Sequence, residues 1–149
     1  MLKTNLIVLG VVACLYSLAA SAQDNVIGFV KIARGEASIV TAGNLVKAQP
    51  GTPLHLGSVL KTGSDGSMGV TFKDNTIMSF GPETEITVDE YLYAPADGDL
   101  KLVASLAKGT LHYISGVIAK LRPEAVSIKT PTGIIGVRGT RFLVKAEEQ

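Results

Sequence analysis

The sequence predicts an all-β fold: a compact antiparallel β-sandwich or β-roll of about ten short strands, with one short helix near residues 115–121. Three observations carry this. Val, Ile and Thr are abundant, Trp is absent, and there are only four Phe and four Tyr, a composition that suits half-buried strands better than helices. Turn signals built on the sixteen glycines recur about every 8 to 12 residues. Between them, short runs alternate apolar with polar residues. The glycine spacing also admits a coil of a β-solenoid, but no fixed repeat separates the segments, which favours the compact layered form.

The chain opens with a positive start at Met1–Lys3, an apolar run over Leu6–Leu18 and a small-x-small site at Ala20–Ala22. This predicts a secretory signal peptide over residues 1–22 and one domain over 23–149, exported to the periplasm with no membrane span after cleavage. Two alternatives are an uncleaved N-terminal anchor and a lipoprotein modified at Cys14, although Leu15–Ala19 continues the apolar run where a lipoprotein's mature end is normally polar. Cys14 is the only cysteine, so cleavage leaves no thiol, disulfide or cysteine–metal chemistry. Removing Lys3 leaves 13 basic side chains against 13 acidic ones, interspersed, and this excludes a nucleic-acid binder with a polybasic footprint.

Val26–Ala33 reads as a strand that is apolar on both faces apart from Lys31. Arg34-Gly35 turns it into Ala37–Thr41, and Leu45–Ala48 follows as a short strand. Gln49–Pro53 is a loop, because proline offers no ladder donor. Met68–Phe72 and Ile77–Phe80 form a hairpin. A two-residue Asp74-Asn75 turn would set Phe72 opposite Ile77 and Val70 opposite Ser79, with Met78 and Phe80 on the other face, which places this hairpin in the middle of the core. Gly81-Pro82 breaks it, and Thr84–Asp89 alternates with Ile86 and Val88 inward. Tyr91–Asp99 is a turn-rich connection. Leu100–Leu106 and Thr110–Ile114 are separate strands joined by a tight Lys108-Gly109 turn. Val117, Ile118 and Leu121 share a helical face, Pro123 stops that turn, and the polar tail from Lys145 frays.

The closing stretch, Val126–Val144, organises the rest. Val126 and Ile128 alternate with Ser127 and Lys129, Pro131 and Gly133 punctuate, and Gly136 and Gly139 flank Val137-Arg138 in a second apolar run. The Arg138 guanidinium has two readings: five donors carried into a packed region, or a cation at a sheet rim facing a ligand. The first is preferred because buried donors must be satisfied, and it expects Arg138→Ala to cost stability more than binding.

Thr130, Pro131, Gly136, Val137, Arg138, Gly139, Thr140 and Phe142 resemble the signature of the FecR domain, a periplasmic domain of bacterial iron-transport regulators that also occurs in small exported proteins. Upstream, Leu54–Gly63 resembles the same family's Gly…Leu…Gly-Asp…Thr-Gly segment, with Ser58 where that pattern usually has Asp, and Phe72-x-Asp74…Gly81-Pro82-x-Thr84-x-Ile86 resembles it again. Together these pieces cover roughly Val26 to Val144. The resemblance implies a sensing domain that follows a membrane helix and receives a signal from an outer-membrane receptor. With no cytoplasmic regulatory domain before the leader and no later span, the expectation here is a free-standing sensing or scaffolding module.

Catalytic chemistry has little to build on. His55 and His112 lack metal-ligand spacing, and Asp97-Gly-Asp99 lacks the rest of a calcium loop. Gly-x-x-Gly at Gly133–Gly139 lacks a phosphate loop's Lys-Ser/Thr tail, and no Gly-x-Ser-x-Gly elbow exists. The expectation is therefore a non-enzyme without metal or cofactor. Candidate contacts to a small ligand or an envelope protein are Arg138, Thr140 and Arg141, whose guanidiniums suit carboxylates. Tyr91 and Tyr93 come next, either as an aromatic ledge or as closure of a core edge. The rival reading is a structural envelope protein whose subunits self-associate through β edges into a homo-oligomer.

Overall fold

The structure is a computed structural model and describes residues 25–147. The signal peptide, the cleavage site and Cys14 lie outside the described residues. Among the described residues the strands are β1 (Val26–Arg34), β2 (Ala37–Thr41), β3 (Asn44–Lys47), β4 (Pro53–His55), β5 (Val59–Thr62), β6 (Ser67–Phe72), β7 (Ile77–Phe80), β8 (Glu85–Ala94), β9 (Asp99–Ile114), β10 (Val126–Thr130), β11 (Gly133–Gly136) and β12 (Arg141–Ala146), with one α-helix, α1 (Val117–Leu121). They form one twelve-stranded sheet in the order β3-β2-β5-β8-β9-β7-β6-β1-β4, with β10, β11 and β12 off this path. The sheet curls into a half-barrel, so of the layered forms expected the roll is the apt one, and the all-β expectation holds. Pairing is antiparallel except between β10 and β9. There the chain returns through α1 and a turn at Pro123–Ala125 to run parallel to the first half of β9.

β9 is the axis of the curl. Its first half pairs with β8 on one flank and β10 on the other, and its second half pairs with β7 and β12. The tight turn expected at Lys108-Gly109 is instead a bend within one sixteen-residue strand. Gly109 has φ +96°, and a Cβ there would overlap Thr84 Oγ1 and Cα. Thr84 is buried and fills the inside of the bend. Its hydroxyl donates to the Gly81 carbonyl at 2.9 Å and accepts from the Thr110 N–H at 3.0 Å, and its own N–H donates to Thr62 Oγ1 at 2.9 Å. The chain changes direction without reversing because both halves keep partners on both sides.

The β6–β7 hairpin lies in the core as expected, but one residue out of the expected register. Thr71 faces Ile77 and Val70 faces Met78. The loop is longer than two residues: the Phe72 N–H bonds the Thr76 carbonyl, and only Asn75, at φ +66°, takes a left-handed conformation. That one-residue difference puts Met68, Val70, Phe72, Met78 and Phe80 all inward and turns Ile77 outward, so the hairpin is apolar chiefly on one face.

Three further expectations change. β8 continues through Tyr91 and Tyr93 to Ala94 before a short 3-10 turn at Pro95–Asp97, because Tyr91 is held inside. In α1, Ile118 and Ala119 are buried while Leu121 is exposed, so the five-residue helix docks by its middle. The tail stays ordered to Ala146, which is buried opposite Gly109. The core runs through the whole curl, from Ile27 and Leu54 to Ile128 and Val137.

Candidate functional site

The segment from Val126 onward is a clasp over both halves of β9. β10 pairs with Leu102–Ser105, and β11 returns antiparallel along β10 after a turn at Pro131-Thr132, where Thr130 Oγ1 donates to the Gly133 carbonyl at 3.0 Å. Val137 then dips into the core. Gly139, at φ +107°, redirects the chain into β12, which pairs with the second half of β9. Ser115 fastens this corner: its hydroxyl donates to the Gly139 carbonyl at 2.8 Å, and its N–H donates to the Thr140 carbonyl at 2.9 Å. Phe142 stacks on Tyr113, with ring centroids 4.7 Å apart. Thr130, Pro131, Gly139 and Phe142 are therefore accounted for by the clasp, whereas Gly136 has ordinary φ and open space around it.

The clasp encloses an open cleft of about 780 Å³ lined by Pro123, Glu124, Val126, Ser127 and the Gly136–Gly139 stretch. Arg138 lies on its wall and is exposed. The preferred reading of Arg138 as a satisfied buried cation is thus corrected. With glycines on both sides the chain turns Val137 inward, and its neighbour must then face water. Thr140 and Arg141 are also exposed but do not line the cleft; Arg141 begins β12, opposite Ile114. Among the described residues, neither Arg138 nor Arg141 has a carboxylate at ion-pair distance. Glu124 and Arg138 give the cleft one charge of each sign.

Tyr91 and Tyr93 meet at a second, smaller cleft of about 320 Å³, which Lys73 and Asp99 also line. Tyr91 is not a free handle. It is buried and stacked on Phe72 at 5.5 Å, and its hydroxyl donates to Asp74 Oδ1 at 3.0 Å while accepting the Asp74 N–H at 3.0 Å. Burial, reinforced by the Asp74 charge, pushes its ionisation well above the ordinary tyrosine range. Tyr93 is half-buried at the rim of the core.

The residue that sequence reasoning passed over is Asp74, which it treated as a turn residue. Asp74 is fully buried. Besides Tyr91, its carboxylate accepts from the Thr76 N–H at 3.3 Å, Thr76 Oγ1 at 2.7 Å and the Ile118 N–H at 3.1 Å, and its carbonyl accepts from the Val117 N–H at 2.7 Å. One side chain ties the hairpin, β8 and α1 together. The Asp-x-Thr spacing, which suits a side-chain-capped turn, was the available signal. Ser58 plays a smaller version of this part: it is buried, bonded to Thr41 Oγ1 at 2.7 Å, and accepts the His55 N–H at 3.1 Å.

A family model described as FecR protein matches residues 58–149. The match takes in β5 to β12, the bend in β9 and the whole clasp; the motif resemblance extended further, to Val26. No curated protein and no solved structure matches the chain.

Proposed function

This chain belongs to the FecR family, and on that footing we propose that it is a non-catalytic periplasmic binding module, used in envelope signalling, that receives a carboxylate-bearing ligand or a partner's extended segment at the clasp cleft. Family membership suggests a signalling-related domain. The leader-like residues 1–22 support the periplasmic location. The observation that carries the binding role is the division of labour at Val137-Arg138: the valine anchors the clasp in the core while the guanidinium stands on the cleft wall without a carboxylate partner among the described residues. A bidentate guanidinium–carboxylate contact is worth roughly 1.5–3 kcal/mol.

The test is capture from periplasmic extract by the wild type and by Arg138→Ala, with thermal melts of both. A variant that melts like the wild type but holds its ligand about tenfold or more weaker supports the proposal. Equal capture by both refutes it. A second reading, self-association through β edges, is favoured by the open edges β3 and β11 with exposed Leu45, Val46 and Ile134. A mass in solution above the monomer, lost on Ile134→Lys, supports that alternative.

A further inference from the structure

The outward face of β1, β6, β7, the second half of β9 and β12 has a pattern that the clasp cleft does not use. The registers align Phe29, Thr71, Ile77, Ile114 and Arg141 in one cross-strand row, and Ile32, Gly69, Ser79, His112 and Leu143 in the next. The facing inner rows carry Val70, Met78, Tyr113 and Phe142, so these two rows point away from the core. Phe29 is 44% exposed, Ile32 46%, Ile77 37% and Leu143 72%. Ile32 lies over Gly69, where a Cβ would come within 2.8 Å of Ile32 Cγ2, which keeps the middle of the face low and smooth. Isolated exposed apolar side chains are ordinary, but Phe29, Ile32, Ile77, Ile114 and Leu143, gathered from four strands on one face around Thr71, Ser79 and His112, mark a contact surface.

Cations stand at both ends of this face. Lys31, at the β1 bulge, and Arg34 are exposed at one end; Arg141 and Lys145 are exposed at the other, with Lys145 sharing its charge with Glu147 at 3.0 Å. No strand position on this face carries Asp or Glu among the described residues. The opposite outer face differs: Lys61, Glu85 and Lys108 alternate across its register, and Glu90 pairs with Lys101 at 3.4 Å. A second copy docked face to face would set cation against cation, so like does not suit like here. β1, β6, β7 and β9 are hydrogen-bonded on both flanks, so through them the face offers side chains alone. A face whose apolar side chains flank a small polar centre at Thr71, Ser79 and His112, and which ends in lysine and arginine, complements a bilayer surface with anionic headgroups, the apolar residues entering the interface while the cations meet phosphates.

We propose that this face of the curled sheet docks on an anionic membrane surface, led by Phe29, Ile32 and Leu143 and held by Lys31, Arg34, Arg141 and Lys145. The experiment is co-sedimentation of the full chain with vesicles of pure phosphatidylcholine and with vesicles containing phosphatidylglycerol, at low and high salt. Expected is binding to the anionic vesicles that weakens with salt, falls about fivefold in Lys31→Gln, and falls on the order of tenfold in Ile32→Ser or Leu143→Ser, all of these variants melting as cooperatively as the wild type. Three results overturn it. Equal binding to both vesicle types, unchanged by the face variants, would assign attachment to the apolar N-terminal residues. Binding of polyglutamate without binding of anionic vesicles would assign the face to an acidic protein. A dimer abolished by Ile32→Ser would assign it to a second copy.

Discussion

Removing the Asp74 carboxylate tests whether the curl is held by one buried side chain. In Asp74→Ala the Thr76 N–H, Thr76 Oγ1, the Tyr91 hydroxyl and the Ile118 N–H all lose their acceptor. A buried donor left unpaired costs about 1–3 kcal/mol. The Thr76 and Tyr91 hydroxyls can rotate toward other acceptors, but the two backbone N–H groups cannot, so the loss should be roughly 3–5 kcal/mol, a large share of what a domain this size possesses. Tyr91→Phe should cost about 1–2 kcal/mol, since the ring keeps its stack on Phe72 and only the hydroxyl goes. The double variant should cost less than the sum by about 1–3 kcal/mol, because each single change already breaks the shared contact. Urea unfolding followed by far-ultraviolet circular dichroism measures all three. An Asp74→Ala loss below about 1 kcal/mol, or strict additivity with Tyr91→Phe, would refute the claim that this carboxylate ties hairpin, β8 and helix together.

Other outcomes follow from single positions. Gly139→Val is expected to cost roughly 1–3 kcal/mol by backbone strain at φ +107° alone, since space around it is open; Gly109→Ala should cost more, because its Cβ also strikes Thr84, and the reverse order in thermal melts would contradict the bend as described. The Tyr113 hydroxyl is buried beside the Ser115 and Thr76 hydroxyls but makes no hydrogen bond of ordinary length and angle to either, so Tyr113→Phe should change stability by less than about 1 kcal/mol; a clear loss in the same assay would mean that one of these contacts closes into a hydrogen bond. Burial raises the ionisation of both Tyr91 and Tyr113. Unfolded tyrosine loses its proton near pH 10 while these two keep theirs when folded, so stability should be intact below about pH 10 and fall as pH rises beyond it. The alkaline slope should flatten in Tyr91→Phe, and an unchanged slope would count against the buried-phenol account.

The fold class, most strand positions and the importance of the closing stretch were legible because they rest on alternation and glycine punctuation, which are local. What was not legible depended on parity or on distant partners. The β6–β7 register slipped by one because Asp74-Asn75 suggests a two-residue turn, while the buried Asp74 needs a longer loop to reach Ile118. Gly109 looked like a reversal because φ > 0 suits a turn and a bend alike, and only Thr84, 25 positions away in sequence, shows which one forms. At Val137-Arg138 the apolar run hid which of the two faces inward. Val137 takes the inward position, so the Arg138 donors are met by water rather than by buried acceptors.

The residues that carry the family resemblance divide unevenly between fold and surface. Asp74 knots the hairpin to the helix, Thr84 fills the β9 bend, Gly139 turns the clasp, and Phe142 stacks inside it. Each is explained by the need to curl one sheet around a single bent strand, whatever the protein binds. Even Ser58, where the pattern usually has a carboxylate, accepts a backbone N–H and bonds a hydroxyl as a small internal strut. A sequence can therefore satisfy most of the signature and owe that match to architecture alone. Within the signature, the side-chain positions of Gly136, Arg138 and Thr140 are left over, and of these Arg138 alone is charged: it contributes nothing inward and stands exposed on the cleft wall. Its substitution consequently separates the two readings of the motif: if the melt is unchanged and recognition fails, the signature records a binding function as well as a fold.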